Sequence, residues 1–258
     1  MMSEILVTHF MIFLFIFVRI VAVFVTAPLF SNKAFPSMAK VSLALVISYL
    51  IFTFIDKSSV QLEITIWFIA TNVIKEIITG ALIGFSVTLV FYAISFAGTI
   101  IGFDIGLAMA QVFNPTEETN NNVLGEYLYI LAILVLILID GHHYIIRGAV
   151  YSFTIIPLGH YTINAEVYDY LVKMGAMVFV LAVKIASPIL VSFFLVHIAE
   201  GIMARVIPQM QVFFVTYPLK IGLGIVLLMV TIPLYLHMIK NLLHLYEEKL
   251  YQLIQYMS

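Results

Sequence analysis

The sequence predicts an all-α integral membrane protein. Apolar residues make up 63% of the 258-residue chain and charged residues only 10%, and the mean hydropathy is +1.13. Soluble domains are roughly 45–50% apolar and about 25% charged. Since a lipid-embedded backbone must satisfy its own hydrogen bonds, long apolar runs predict helices, and we expect about six hydrophobic helices or helical hairpins.

The first two apolar runs cover residues 5–28 and 38–55, and a polar turn containing Pro36 separates them. The first run is too long for a cleavable signal, lacks a basic segment before it and contains Arg19, so we expect it to be a membrane helix. Residues 64–110 are too long for one span of ~20 residues, and this predicts two helices bent near residues 93–98.

The second half contains three more apolar runs. Residues 127–156 are interrupted at Asp140, which predicts a helix pair or a broken helix. Residues 168–197 and 213–238 form the last two runs. Beyond Lys240, apolar residues recur at helical spacing opposite a charged face, so we expect a separate amphipathic helix outside the membrane.

Glycines at four-residue spacing precede the longest polar segment of the chain. Gly98, Gly102 and Gly106 share one predicted helix face, and the polar segment ends near residue 122. Gly80 and Gly84 repeat the spacing, which permits close approach of two helices. The stretch from residue 98 to 122 is therefore either a close-packed helix that ends in a loop or a movable gate.

Several charged residues lie within or beside apolar runs, where one charge at the bilayer centre costs about 3 kcal/mol. A proton or ion pathway, ion pairs within a helix bundle, or helices that do not cross the bilayer in the ordinary way would each explain them. Lys75 and Glu76 point to different sides of a helix, so each needs a partner elsewhere. The residues are Arg19, Lys75, Glu76, Asp104, Lys184, Glu200 and Lys220.

The sequence contains no recognisable catalytic constellation, so we do not expect an enzyme or a bound cofactor. No serine lies in a Gly-x-Ser-x-Gly turn, and no glycine-rich phosphate loop is present. His142 and His143 are adjacent, which we interpret as a poor geometry for one metal, and so we expect a polar helix break and no metal site. A proton path would draw on Glu76, Asp104, Asp140, His142, His143 and Glu200.

Five groups of residues carry local patterns along most of the chain, within residues 19–40, 76–84, 98–115, 141–159 and 186–221. These patterns resemble the FliR family of type III export proteins, which comprises flagellar FliR and its injectisome counterpart SctT. Two positions depart from the family pattern: Gln211 replaces an expected asparagine, and Asn114 replaces a common aspartate. The matching residues are Arg19, Pro28, Pro36 and Lys40; Glu76, Gly80 and Gly84; Gly98, Gly102, Gly106 and Pro115; Gly141, His142, His143, Ser152, Phe153, Pro157 and Gly159; and Ala186, Pro188, Gly201, Arg205, Pro208, Gln209, Met210, Val212, Phe213, Pro218, Leu219, Lys220 and Ile221.

The C-terminal part also resembles FliQ, a small partner protein of the same apparatus. The resemblance implies a FliP-like portion over residues 1–165, with a plug loop near 109–122, and a FliQ-like helical hairpin over 166–258 with an amphipathic C-terminal helix. It also implies strongly tilted and kinked helices. The turn of the FliQ-like part is expected to involve Gly201, Arg205, Pro208, Gln209 and Gln211.

The resemblance implies a role in an export gate of the bacterial inner membrane, within the flagellar basal body. One copy of the chain would join several FliP and FliQ subunits, with FlhB and FlhA as further partners, in a channel for unfolded export substrates. Partner helices and membrane lipid would surround it, and no nucleic acid is expected. Nucleotide-driven work is not expected from this chain, since no nucleotide-binding loop is present.

A loop that plugs the closed pore is implied by the same resemblance. We expect Val112 and Phe113 to be its bulky stoppers, because a hydrophobic constriction bars ions by dewetting. Asp104 is expected to point away from the glycine face, toward the wet side of the passage. The plug residues are Met109, Gln111, Val112, Phe113, Asn114 and Pro115.

Two alternatives remain at this point. A proton- or ion-coupled secondary transporter would be expected to show inverted repeats around a central site, and the sequence shows no such symmetry. An injectisome subunit of the SctT type is the other alternative. The Gly-His-His context at His142 and the Pro-Gln context at Pro208 favour the flagellar system.

Overall fold

The computed structural model describes residues 2–32, 35–55, 65–107, 123–161, 164–209 and 212–257. Over these ranges the regular structure is entirely helical, which confirms the predicted all-α class. The helices are α1 (Met2–Thr26), α2 (Pro28–Ser31), α3 (Ser37–Phe54), α4 (Ile66–Ile105), α5 (Val123–Leu138), α6 (Gly141–Ile155), α7 (Ala165–Val206) and α8 (Val212–Tyr256).

Five of the described helices are long and apolar enough to cross a membrane, namely α1, α3, α4, α7 and α8. Helices α5 and α6 qualify together as one broken span, which gives up to six. Asp140 interrupts this pair and has a left-handed backbone conformation with φ 56°. The predicted break at Asp140 and the expected number of helices agree with the structure.

Helix α4 runs without a break for 40 residues, so the prediction of two separate helices over this run is wrong. No proline lies inside α4, and glycine alone does not remove a backbone hydrogen bond. At Gly98, instead, a neighbouring helix packs closely. Gly98 therefore marks a close helix contact and not the end of a helix.

The chain does not form a separate helix after Lys240, because α8 continues to Tyr256 and includes both the apolar run and the tail. The predicted amphipathic pattern is nevertheless present in the last part of α8. Its apolar side chains are buried and its charged side chains lie on the other face; the buried residues are Ile239, Leu243, Tyr246, Leu250, Leu253, Ile254 and Met257.

The chain divides into two compact units. Unit 1 comprises Met1–Leu89, Asp140–Met174 and Leu243–Ser258, and unit 2 comprises Val90–Ile139 and Gly175–Leu242. Each unit takes segments from both sides of residue 165, since α4, α7 and α8 each contribute to both. The division at residue 165 is therefore not a boundary between compact units, and it stays a prediction based on resemblance.

Candidate functional site

Arg19 of α1 is fully buried in unit 1 and is paired with Glu76 of α4, which is equally buried. Its Nε donates to Glu76 Oε2, and its Nη1 donates to the carbonyl oxygens of Ser152 at 3.2 Å and Ile156 at 3.1 Å. The guanidinium also lies 4.2 Å from the centroid of the Phe153 ring. This buried network joins α1, α4 and α6, so the charge of Arg19 is balanced within this chain.

The peptide group of Gly159 is held from both sides by adjacent residues of α4. Glu76 Oε1 accepts the Gly159 N–H at 2.8 Å, while Lys75 Nζ donates to the Gly159 oxygen at 2.9 Å. Gly159 has φ +75°, and a Cβ there would lie 2.8 Å from Asn72 Oδ1. Lys75 and Glu76 thus find separate partners, and together they fix the loop that follows α6.

The glycines of α4 in unit 1 lie directly against α1. A Cβ at Gly80 would lie 2.8 Å from the Ala22 Cβ, and one at Gly84 would lie 2.7 Å from the Val23 oxygen. Thr88 Oγ1 donates to the Thr26 oxygen at 2.6 Å beside this contact. The backbones of α1 and α4 therefore approach within a distance that only glycine permits, and this places Arg19 opposite Glu76.

Four ionisable side chains from three helices form a second network, in unit 2. His197 of α7 contacts Asp104 of α4 through Nε2 at 3.0 Å and Glu200 through Nδ1 at 3.1 Å. Lys220 of α8 donates to Glu200 Oε2 at 2.7 Å and lies 3.2 Å from His197 Nδ1. Lys220 and Glu200 are each about nine-tenths buried, and Asp104 is partly buried. The sequence indicated the two acids and the lysine, but not the histidine that joins them.

Helix α4 ends at a glycine cap and not in the continuous glycine face that the sequence predicted. Gly106 has φ +96°; its N–H bonds the Phe103 oxygen, and the Leu107 N–H bonds the Gly102 oxygen, at 3.1 and 3.0 Å. This pattern is a Schellman cap, which requires the left-handed conformation that glycine adopts readily. Tyr217 Oη donates to the Gly106 oxygen at 2.8 Å and fixes the cap to α8.

Gly98 contacts the first turn of α5, within unit 2. A Cβ at Gly98 would lie 2.6 Å from the Gly125 Cα, and one at Gly125 would lie 2.9 Å from the Ser95 oxygen. The two glycines therefore allow α4 and α5 to meet backbone to backbone. The segment 108–122 is therefore flanked by two anchored helix ends: the capped end of α4 before residue 107, and the start of α5 at residue 123.

The remaining predicted residues lie in several places. Met109, Gln111, Val112, Phe113, Asn114, Pro115 and Gln211 lie outside the described residues. Lys184 is exposed on this chain, so it is not one of the charges that the chain buries by itself. Gly201 and Arg205 belong to the exposed end of α7, while Pro208 and Gln209 occupy the turn before α8.

Asp140, His142 and His143 come together at the start of α6. One possible ligand atom from each lies within 4.8 Å of the others. The centroids of the two imidazole rings are 4.2 Å apart. The left-handed turn at Asp140 brings its carboxylate beside them.

Three contributors to these sites were not singled out from the sequence: Asn72, His197 and Tyr217. Asn72 lies one helical turn before Glu76, and His197 lies three residues before Glu200, so helical spacing from a flagged acid would have found both. Tyr217 carries no such signal, since its partner is a backbone oxygen 111 residues away.

Comparison with known proteins assigns the family. The family described as "Bacterial export proteins, family 1" matches residues 10–245. The flagellar biosynthetic protein FliR of Bacillus subtilis (strain 168) is 31% identical over 245 residues, which cover 94% of each chain. FliR of Pectobacterium carotovorum subsp. carotovorum is 32% identical over 84% of this chain and 83% of its own, and FliR of Escherichia coli (strain K12) is 29% identical over 84% and 82%. The chain belongs to the FliR family of bacterial export proteins.

Proposed function

We propose that the chain is the FliR subunit of a flagellar type III export gate in the bacterial inner membrane, and that it closes the gate with the segment around residues 109–115. Family membership makes it a membrane component of the export apparatus. The partners that we propose are FliP-like and FliQ-like subunits around one copy of this chain, with FlhA and FlhB nearby, and unfolded flagellar proteins as the cargo.

The observation that carries the plug proposal is the anchoring of both flanks of the segment in unit 2. On one side, the cap at Gly106 is bonded to Tyr217, and a Cβ at Gly224 of α8 would lie 2.7 Å from the Ile105 side chain. On the other side, Gly125 packs on Gly98. Anchored flanks would hold the apolar residues of such a plug in a lumen, which a hydrophobic constriction closes by dewetting.

The first experiment tests assembly. The chain is co-expressed with FliP and FliQ from the same genome, purified through a tag on FliP, and weighed intact by native mass spectrometry. We expect one copy of this chain per complex. Recovery of FliP and FliQ without this chain, or several copies of it per complex, would contradict the proposed stoichiometry.

The second experiment tests the plug separately. Deletion of residues 112–116 should leave the complex intact and raise ion leakage in cells or in proteoliposomes. A second variant replaces the same five residues by a Gly-Ser segment of equal length. It keeps the length of the segment but removes Val112 and Phe113, so it should also leak. An assembled deletion complex that conducts no more than the wild type would refute the plug.

The network of Asp104, His197, Glu200 and Lys220 favours one second candidate, a proton-coupled transporter. Its four titratable groups are in hydrogen-bond contact within apolar helices, as a proton relay requires. A transporter would move protons when the chain alone is placed in proteoliposomes. The export-gate proposal expects no proton flux from the chain alone.

A further inference from the structure

We propose that Asp140, His142 and His143 form a binding site for a divalent transition-metal ion of the Zn²⁺ type at the start of α6. One carboxylate oxygen and two imidazole nitrogens lie within 4.8 Å of one another. Ligands on a tetrahedral zinc ion, each about 2.0–2.1 Å from the metal, are about 3.3 Å apart. The three residues lie within four consecutive positions of the chain, so rotation of their side chains is enough to shorten the distances between the ligand atoms.

A buried nitrogen atom of this cluster points to a ligand. His142 Nδ1 is buried and, among the described residues, has no hydrogen-bond partner. A buried imidazole nitrogen without a partner is costly, and a metal ion would satisfy it. Asp140 precedes the first residue of α6, where aspartate commonly caps a helix, but its carboxylate makes no capping hydrogen bond in the described part of the chain.

The chemistry of the donors selects the class of ion. Two imidazoles and one carboxylate, with no thiolate, suit Zn²⁺, Co²⁺ and Ni²⁺ better than Ca²⁺ or Mg²⁺, which prefer oxygen ligands. Three protein ligands leave a fourth position for water, so the site is open. Asp140 and His143 are exposed, which gives a metal ion a route of entry.

A bound ion would link the residue before α6 to its first turn. Asp140 holds a left-handed conformation that costs non-glycine residues free energy, although aspartate tolerates it better than most. A metal that binds only the folded arrangement stabilises it by mass action. The ion would therefore fix Asp140 against the first turn of α6, within unit 1.

Cobalt provides the test. The full-length protein, purified with a tag that contains no histidine and treated with a chelator, is titrated with CoCl₂ and followed by visible absorption, and then with ZnCl₂ as competitor. We expect one Co²⁺ per chain, displaced by Zn²⁺. His142→Gln, His143→Gln and Asp140→Asn should each weaken binding by more than about tenfold.

His160→Gln is the matched control, because His160 is an exposed histidine of unit 1 outside the cluster. It should bind Co²⁺ like the wild type. Helical content and elution volume are recorded for every variant, so that a misfolded variant is recognised, and Asp140→Asn then serves as the mildest change. Absence of stoichiometric binding by the folded wild type, or equal binding by folded His142→Gln, overturns the site.

Discussion

Replacement of Glu76 by glutamine tests whether the Arg19 network holds unit 1 together. Glutamine keeps the size of the side chain, and its oxygen can still accept the Gly159 N–H, so the change removes mainly the negative charge. Removing one partner of a buried ion pair destabilises a protein by about 3–5 kcal/mol, because the other charge stays buried and unpaired. Arg19 has 0% exposure and cannot reach water without disrupting α1.

The expected loss lies near the lower end of that range, about 3 kcal/mol. Arg19 would keep its hydrogen bonds to the carbonyl oxygens of Ser152 and Ile156 and its contact with the Phe153 ring. The assay is the free energy of unfolding, measured by steric trapping in bicelles. Lys184→Gln is the control, since exposed substitutions away from special features usually change stability by less than about 0.5 kcal/mol.

A double variant makes the prediction strict. Arg19→Met with Glu76→Gln removes both charges while the glutamine oxygen still accepts the Gly159 N–H, so it should be more stable than Glu76→Gln alone. In a double-mutant cycle, directly contacting charges show strong coupling, whereas independent sites add. Additive losses from Arg19→Met and Glu76→Gln would refute the claim that the pair acts as a unit.

Two glycine substitutions test the packing that positions this network. Gly84→Ala should destabilise the protein by about 1–3 kcal/mol in a thermal unfolding assay, as overpacking does, because its methyl group would meet Thr26. Gly175→Ala in α7 is the control, because no described atom lies within 4 Å of the new Cβ. It should be neutral or slightly stabilising in the same assay. Gly159→Ala should lower the stability of the protein by about 1–3 kcal/mol, because Gly159 has a positive φ and the new methyl group would meet Asn72. An unchanged melting temperature in the same assay would contradict this account of the loop.

The sequence was sufficient for the fold class and for the misplaced charges. Lipid cannot form hydrogen bonds with the backbone of any residue, so a long apolar run must satisfy its own backbone groups as a helix. Composition and run length therefore predict helices without any knowledge of contacts. Run length also showed that Arg19 and Glu76 lie within apolar runs, and ion pairs within a helix bundle were one of three explanations for such charges. It could not pair them, because 57 residues separate them and the pairing depends on how α1 crosses α4 at Gly80.

The errors arose where local patterns have two structural outcomes. Glycine spacing of four predicts a packing face, and Gly98 contacts α5; but Gly106 at the same spacing caps the helix. The choice between the two depends on the backbone after Gly106, which Tyr217 of α8 helps to fix. Similarly, an apolar run of twice the usual length suggested two helices, whereas α4 is continuous over 40 residues.

Some charged side chains of the apolar helices are paired within this chain, and others face its surroundings. Arg19, Glu76, Glu200 and Lys220 find partners within their own units, although apolar helices carry them. Lys184 lies in α7 with an exposed side chain and an apolar neighbour, Val183, that is 52% exposed. A charge beside exposed apolar side chains on a membrane helix is costly in lipid but tolerable beside protein or water. Lys184 is therefore a charge that this chain leaves to protein or water outside it, whereas Arg19 and Lys220 are paired within the chain.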